Sequence, residues 1–209
     1  NFKQWRKTYE GIPDAGIAFL KQINSSHFKP NLELWNEKQW KKVQIEAIER
    51  CVYSFEVLGL KDVLTNIVTG GGKTTIIGAM IAYMMIVHDQ IKFLILTPNT
   101  IVRSRLVDEF DSSSDIYIYN IFPFFFNSYL PLKDRLSHHV MEAGASSAGV
   151  RANNILIGNI QQIYEKRDNW KVLMENDDSL FIFNDEAHNT KAEQYNDLIE
   201  KETEATIRF

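Results

Sequence analysis

One cysteine, Cys51, stands alone among 209 residues. That excludes an intramolecular disulfide framework and a cysteine-based zinc site, and it fits a reducing, cytoplasmic setting. Cys51 itself reads as a core residue of a helix. Long apolar runs are also missing. The longest, Ile76 to Val87, falls short of the roughly 20 residues that a membrane span needs, so it reads as a buried helix rather than an anchor. No charged segment followed by an apolar one opens the chain as a signal peptide would. The chain starts at Asn1 without Met and is read as a piece of a longer protein. No basic run exceeds two residues, and a net charge of −4 argues against a surface coated for nucleic acid. The charge is uneven, net basic over residues 1–50 and net acidic over 165–209, which by itself means no more than solvated faces of opposite sign. No internal repeat is present.

What remains is an ordinary globular composition, 44% hydrophobic and 24% charged, long enough for one large domain with a substantial core. Residues 1–35 read as a lead-in of helix and turn. A broad apolar stripe (Trp40, Val43, Ala47, Ile48, Val52, Phe55) predicts a helix from Glu37 to Val57, with Gly59 as its stop. Ile91 to Leu96 is a continuous apolar run, as expected of a strand buried on both faces of a parallel sheet. A helix is expected over Thr100 to Phe110, a third strand at Ile116 to Tyr119, a fourth at Ile155 to Gly158 and a fifth at Leu180 to Phe183. This alternation predicts a doubly wound α/β fold whose ligands bind at the carboxyl ends of the strands. Residues 120–150 interrupt it as an irregular insertion: an aromatic cluster, a polar helix-like piece, then the small residues Ala143 to Gly149 as a flexible loop.

The chain is organised around Val63 to Thr75. A β-branched run meets Thr69, Gly70, Gly71, Gly72, Lys73, Thr74 and Thr75, then an apolar helical pattern: strand, glycine loop, helix. A polyphosphate must approach closely enough for backbone N–H groups to point at its oxygens, and a Cβ in the loop would obstruct that. The helix N-terminus adds unpaired N–H groups and partial positive charge. Lys73 is placed to reach the β- and γ-phosphates of ATP, the Thr74 hydroxyl to take a position on Mg²⁺, and Thr75 to pack or cap. The general pattern G-x-x-x-x-G-K-[ST] asks for glycine at position 67, where this chain has Ile67.

A second chemical element follows the apolar run Leu180 to Phe183: Asn184, Asp185, Glu186, Ala187, His188. Carboxylates at the end of a buried strand face water or a cation. Asp185 is expected to hold Mg²⁺ and Glu186 to orient the water that attacks the γ-phosphate. The alternative, that both merely cap the next helix, loses ground once a glycine loop shares the same sheet edge.

Thr69-Gly70-Gly71-Gly72-Lys73-Thr74 followed by Asp185-Glu186-Ala187-His188 resembles motifs I and II of superfamily 2 helicases and translocases, and within them looks most like the Res subunit of type III restriction enzymes. The resemblance covers the chain from about Gln44 onward. It implies a RecA-like P-loop NTPase fold, a three-layer α/β/α sandwich with a mainly parallel sheet, residues 36–209 forming the first lobe of a two-lobed motor. It implies that Gln44 recognises adenine and that His188 couples the site to neighbouring motifs. Leu96-Thr97-Pro98-Asn99-Thr100 and Gly158-Asn159-Ile160-Gln161-Gln162 are similar to motifs Ia and Ib, which implies nucleic-acid contacts from Pro98, Asn99, Asn159 and Gln161; Arg103 and Arg105 stand beside the first. Partners so implied are single- or double-stranded DNA, a second lobe of the same polypeptide that supplies an arginine, and a methyltransferase or specificity subunit. Without that lobe, this stretch alone is expected to hydrolyse ATP poorly. Two other readings stand beside it: a non-motor nucleotide-binding switch and an RNA helicase lobe.

Overall fold

The computed structural model describes residues 1–24, 42–68, 70–98, 100–121, 136–141, 147–159, 173, 180–185 and 203–209. Two short helices, α1 (Phe2–Thr8) and α2 (Asp14–Asn24), precede α3 (Lys42–Val52), which ends in a π-helical turn, Tyr53–Val57. Gly59, at φ 63°, takes the left-handed conformation that releases the chain from this turn. Then follow β1 (Asp62–Leu64), α4 (Lys73–His88), β2 (Lys92–Thr97), α5 (Thr100–Phe110), β3 (His138–Met141), α6 (Ser147–Ala152), β4 (Ile155–Asn159), β5 (Leu180–Asn184) and β6 (Thr203–Arg208).

The six strands form one sheet in the order β1-β6-β5-β2-β4-β3, with every neighbouring pair parallel. All carboxyl ends therefore lie on one edge. The last strand slots between β1 and β5, so the glycine-loop strand and the strand leading to Asp185 stand one strand apart. Side chains alternate along each strand. Phe93, Ile95, Ile155, Ile157, Phe181, Phe183 and Ile207 join one core with α1 to α5. The opposite row of Leu94, Leu96, Leu156 and Ile182 is just as inaccessible to water, so the sheet is covered on both faces. That double burial is why β2, β4 and β5 are apolar without alternation.

Helix α4 is apolar all round, with Ile76 to Met85 buried, and no helix among the described residues is long and apolar enough to cross a membrane. Cys51 is fully buried in α3, its thiol pushed up to about 11 by burial against a smaller lowering by Thr65, and it is a core residue as expected. Helices α1 and α2 are tied to α3 through buried Glu49. Its Oε1 accepts from the Tyr9 hydroxyl at 2.7 Å and the Asn24 amide at 2.9 Å, and its Oε2 pairs with Arg6 at 2.6 Å.

Three expectations are corrected. Ile116 to Tyr119 is not a strand: the chain enters a 3-10 turn, Ile118–Ile121. Its β-branched and aromatic content serves packing instead, for Tyr117, Ile118 and Tyr119 are all buried in succession and the Tyr119 hydroxyl donates to Gly78 O at 3.1 Å. The third strand is His138–Met141, within the piece expected to be helix-like. It occupies the sheet edge and is only half-buried for most of its length, so polar residues suffice there. The small-residue run is not loop to its end, since Ser147 onward forms α6; residues 142–146 lie outside the described residues, as does the aromatic cluster from Phe122.

Lys92 opens β2 almost fully buried, at 3% exposure. Its ammonium donates to Val150 O, Arg151 O and Asn153 O at 2.7, 2.8 and 2.6 Å, closing the C-terminus of α6 where the helix dipole favours a cation. Lys92→Met keeps the stem and removes the donors. The expected result is a loss of about 2 kcal/mol in urea-induced unfolding. Wild-type stability would show that water replaces the ammonium at no cost.

Candidate functional site

The glycine loop leaves β1 through Ile67 and Val68. Gly70 and Gly72 have φ of 76° and 84°, and the Gly71 N–H donates to Val68 O at 2.9 Å, closing a tight turn. A Cβ at Gly71 would stand 2.6 Å from Ile67 Cγ2, and one at Gly72 only 2.0 Å from Gln44 Nε2. The loop is thus a cradle that side chains would fill. Ile67, where the general motif has glycine, is buried in the core, and its side chain packs against Gly71 of the loop.

Helix α4 starts at Lys73 with Gly72 as its N-cap, and no side chain caps it, so its first N–H groups point at the cradle. Thr74 and Thr75 lie in its first turn, half-buried. Gln44, near the start of α3, is buried with its amide against Gly72. At its far end α4 is braced by Glu56 of the π-helical turn, whose Oε1 accepts from the Tyr83 hydroxyl at 2.7 Å and meets His88 Nε2 at 2.5 Å. Burial alone would raise the Glu56 carboxyl. Hydrogen bonds from His88 and Tyr83 and the charge of His88 outweigh it and hold the group below the usual carboxylate range.

Asp185 stands one residue past β5. Its N–H donates to Leu96 O at 2.9 Å, which prolongs the β5–β2 ladder and fixes the backbone at the carboxyl edge. Its Oδ1 lies 3.6 Å from Lys73 Nζ, with both side chains largely shielded from water. A lysine and a carboxylate over a glycine cradle and a helix N-terminus suit a magnesium–triphosphate. Mg²⁺ takes one or two protein oxygens, with phosphate and water completing its shell.

Beside this site β2 and β4 leave the sheet together. Asn159 Nδ2 donates to Pro98 O at 3.3 Å, and Thr97 Oγ1 to Gly158 O at 3.5 Å. Arg103 is half-buried on α5, and exposed Arg105 holds Glu109 Oε1 at 3.1 Å within the same helix. The structure therefore brings Gln44, Gly70, Gly71, Gly72, Lys73, Thr74 and Asp185 to one place and joins Pro98 to Asn159 at its flank. Thr69, Asn99, Gln161, Glu186 and His188 lie outside the described residues. Thr97 is not among the site residues read from the sequence; alternation puts it on the face of Phe93 and Ile95, and the register of β2 with β5 makes that the face of Asp185.

A family model described as "Type III restriction enzyme, res subunit" matches residues 37–209. No curated protein matches the chain.

Proposed function

The chain belongs to the type III restriction enzyme, res subunit family, and from that premise we propose that it is the ATP-binding motor lobe of a DNA translocase or helicase in a restriction-modification system. Membership carries the coarser statement, an ATP-dependent, helicase-like domain that binds nucleotide and acts on nucleic acid. The observation that carries the chemistry is Lys73 and Asp185 at 3.6 Å over the Gly72 cradle, on the sheet edge where α4 begins.

In this reading the loop N–H groups and Lys73 hold the β- and γ-phosphates, and Gln44, packed beside Gly72, reads adenine. Thr74 and Asp185 hold Mg²⁺, which when bound neutralises charge developing on the transferring phosphoryl group. Glu186 orients and polarises the attacking water, and His188 links the site to its neighbours. The DNA contacts are assigned to Pro98, Asn99, Arg103, Asn159 and Gln161. A second lobe supplies the arginine that completes the site, and a methyltransferase or specificity subunit accompanies the motor.

ATP hydrolysis by the full-length protein, measured with and without duplex DNA, single-stranded DNA and RNA across a salt series, tests this. The expected result is stimulation by DNA that fades as salt rises, since Lys and Arg contacts to phosphate release counterions. Stimulation by RNA alone would favour the RNA motor. Nucleotide binding and hydrolysis indifferent to every nucleic acid would reject a motor in favour of a switch module.

A further inference from the structure

The sheet register aligns three polar residues that connect the two halves of the site. Leu96 pairs with Asn184 and with Gly158 across β5, β2 and β4, and Thr97 pairs with Asn159. The next residue along β5 is Asp185, whose N–H reaches Leu96 O. Asp185, Thr97 and Asn159 therefore form one row at the carboxyl edge, on the face of Phe93, Ile95, Ile157 and Phe183, which is the face of α4. Thr97 and Asn159 are almost completely buried, at 1% and 5% exposure. Polar groups are not carried into such a place without bonds to hold them.

Adjacent strands run about 4.8 Å apart, so in the register Thr97 is flanked by Asp185 on one side and by Asn159 and the β4 backbone on the other. A hydroxyl carries one proton and rotates to place it. Toward Gly158 O it makes a bond of 3.5 Å, long for an O–H donor and cheap to exchange. Asn159, next in the row, ties β4 to Pro98 at the exit of β2. Movement of the β2 and β4 exits changes the Gly158 acceptor, and a change of charge at Asp185 changes the competing one.

Resting on the motor reading above, we propose that Thr97 is a positioning residue that couples the two sites: its hydroxyl exchanges between Gly158 O and the Asp185 carboxylate, so that nucleic acid at the Pro98–Asn159 edge alters how Asp185 is held, and nucleotide at Asp185 alters that edge. Such an element has two discrete arrangements that both ligands bias, which is what energetic coupling requires. By linkage, the factor by which DNA changes ATP affinity equals the factor by which ATP changes DNA affinity.

The test is that factor, measured in the full-length protein with a fluorescent, slowly hydrolysed ATP analogue titrated with and without a saturating mixed-sequence DNA duplex. Wild type is expected to show a change of about fivefold or more. Thr97→Val, which keeps shape and loses the proton, is expected to bring it close to unity, and Thr97→Ser to restore it. A structural role would not separate serine from valine in this way. Asn159→Ser, too short to reach Pro98, provides an independent route should the valine variant fold poorly, and is expected to diminish the factor as well. Undiminished coupling in both Thr97→Val and Asn159→Ser, or in the folded one of the two, overturns the assignment of Thr97 while leaving the motor reading intact. A wild-type protein without coupling to DNA overturns both.

Discussion

Glu186→Gln in the full-length protein is expected to lower ATP turnover by about 10²- to 10⁴-fold, the usual contribution of a positioned general base, with ATP affinity unchanged. Glutamine keeps the length and one acceptor oxygen of the carboxylate but neither its charge nor its basicity. Binding and chemistry therefore separate cleanly. Asp185, its neighbour, is fixed at the end of β5 by the bond to Leu96 O and stands 3.6 Å from Lys73, which suits a ligand-holding role rather than proton transfer. The contrast predicts that Asp185→Asn differs in kind: it weakens Mg²⁺-dependent ATP binding, and added Mg²⁺ recovers part of the lost turnover. Single-turnover hydrolysis beside equilibrium binding makes the distinction. Hydrolysis at the wild-type rate in Glu186→Gln rejects that residue as the water-activating group.

The parts of this fold that were legible in the sequence are those where one physical demand acts alone. Phe93 to Leu96, Ile155 to Ile157 and Phe181 to Phe183 are buried on both faces, and burial on both faces leaves an uninterrupted apolar run. The glycine loop is legible for a similar reason, because Gly72 must combine positive φ with a close neighbour and only glycine does both. Where two demands compete, local pattern misleads. Tyr117 to Tyr119 carries strand-like residues, yet tertiary packing against α4 and Phe110 decides their conformation. His138 to Met141 looks polar because an edge strand is covered less. The ties from Glu49 to Arg6, Tyr9 and Asn24 join residues far apart in sequence, and no periodicity announces them. The contact of Gln44 with Gly72 is likewise unannounced by periodicity, and the row through Thr97 needs strand register, which a sequence does not print.

Lys73→Ala should weaken ATP binding by roughly 10- to 100-fold, the range for losing a charge-assisted contact worth about 1.5–3 kcal/mol. Two effects make up that loss. Lys73 would donate directly to phosphate, and it also offsets Asp185, which without it presents an uncompensated carboxylate to a polyanion. At about 4 Å and an effective dielectric near 20, two unit charges interact by roughly 4 kcal/mol before desolvation is subtracted, so the second effect is large enough to compete with the first. A double-mutant cycle separates them. In Mg²⁺-free buffer, adding Asp185→Asn to Lys73→Ala removes the repulsion and restores only the share due to charge compensation; the share that stays lost is the phosphate contact. Partial restoration is the expected result. Complete restoration would make Lys73 a counter-ion to Asp185 and nothing more, and wild-type affinity in Lys73→Ala would remove the triphosphate from the Gly72 cradle altogether.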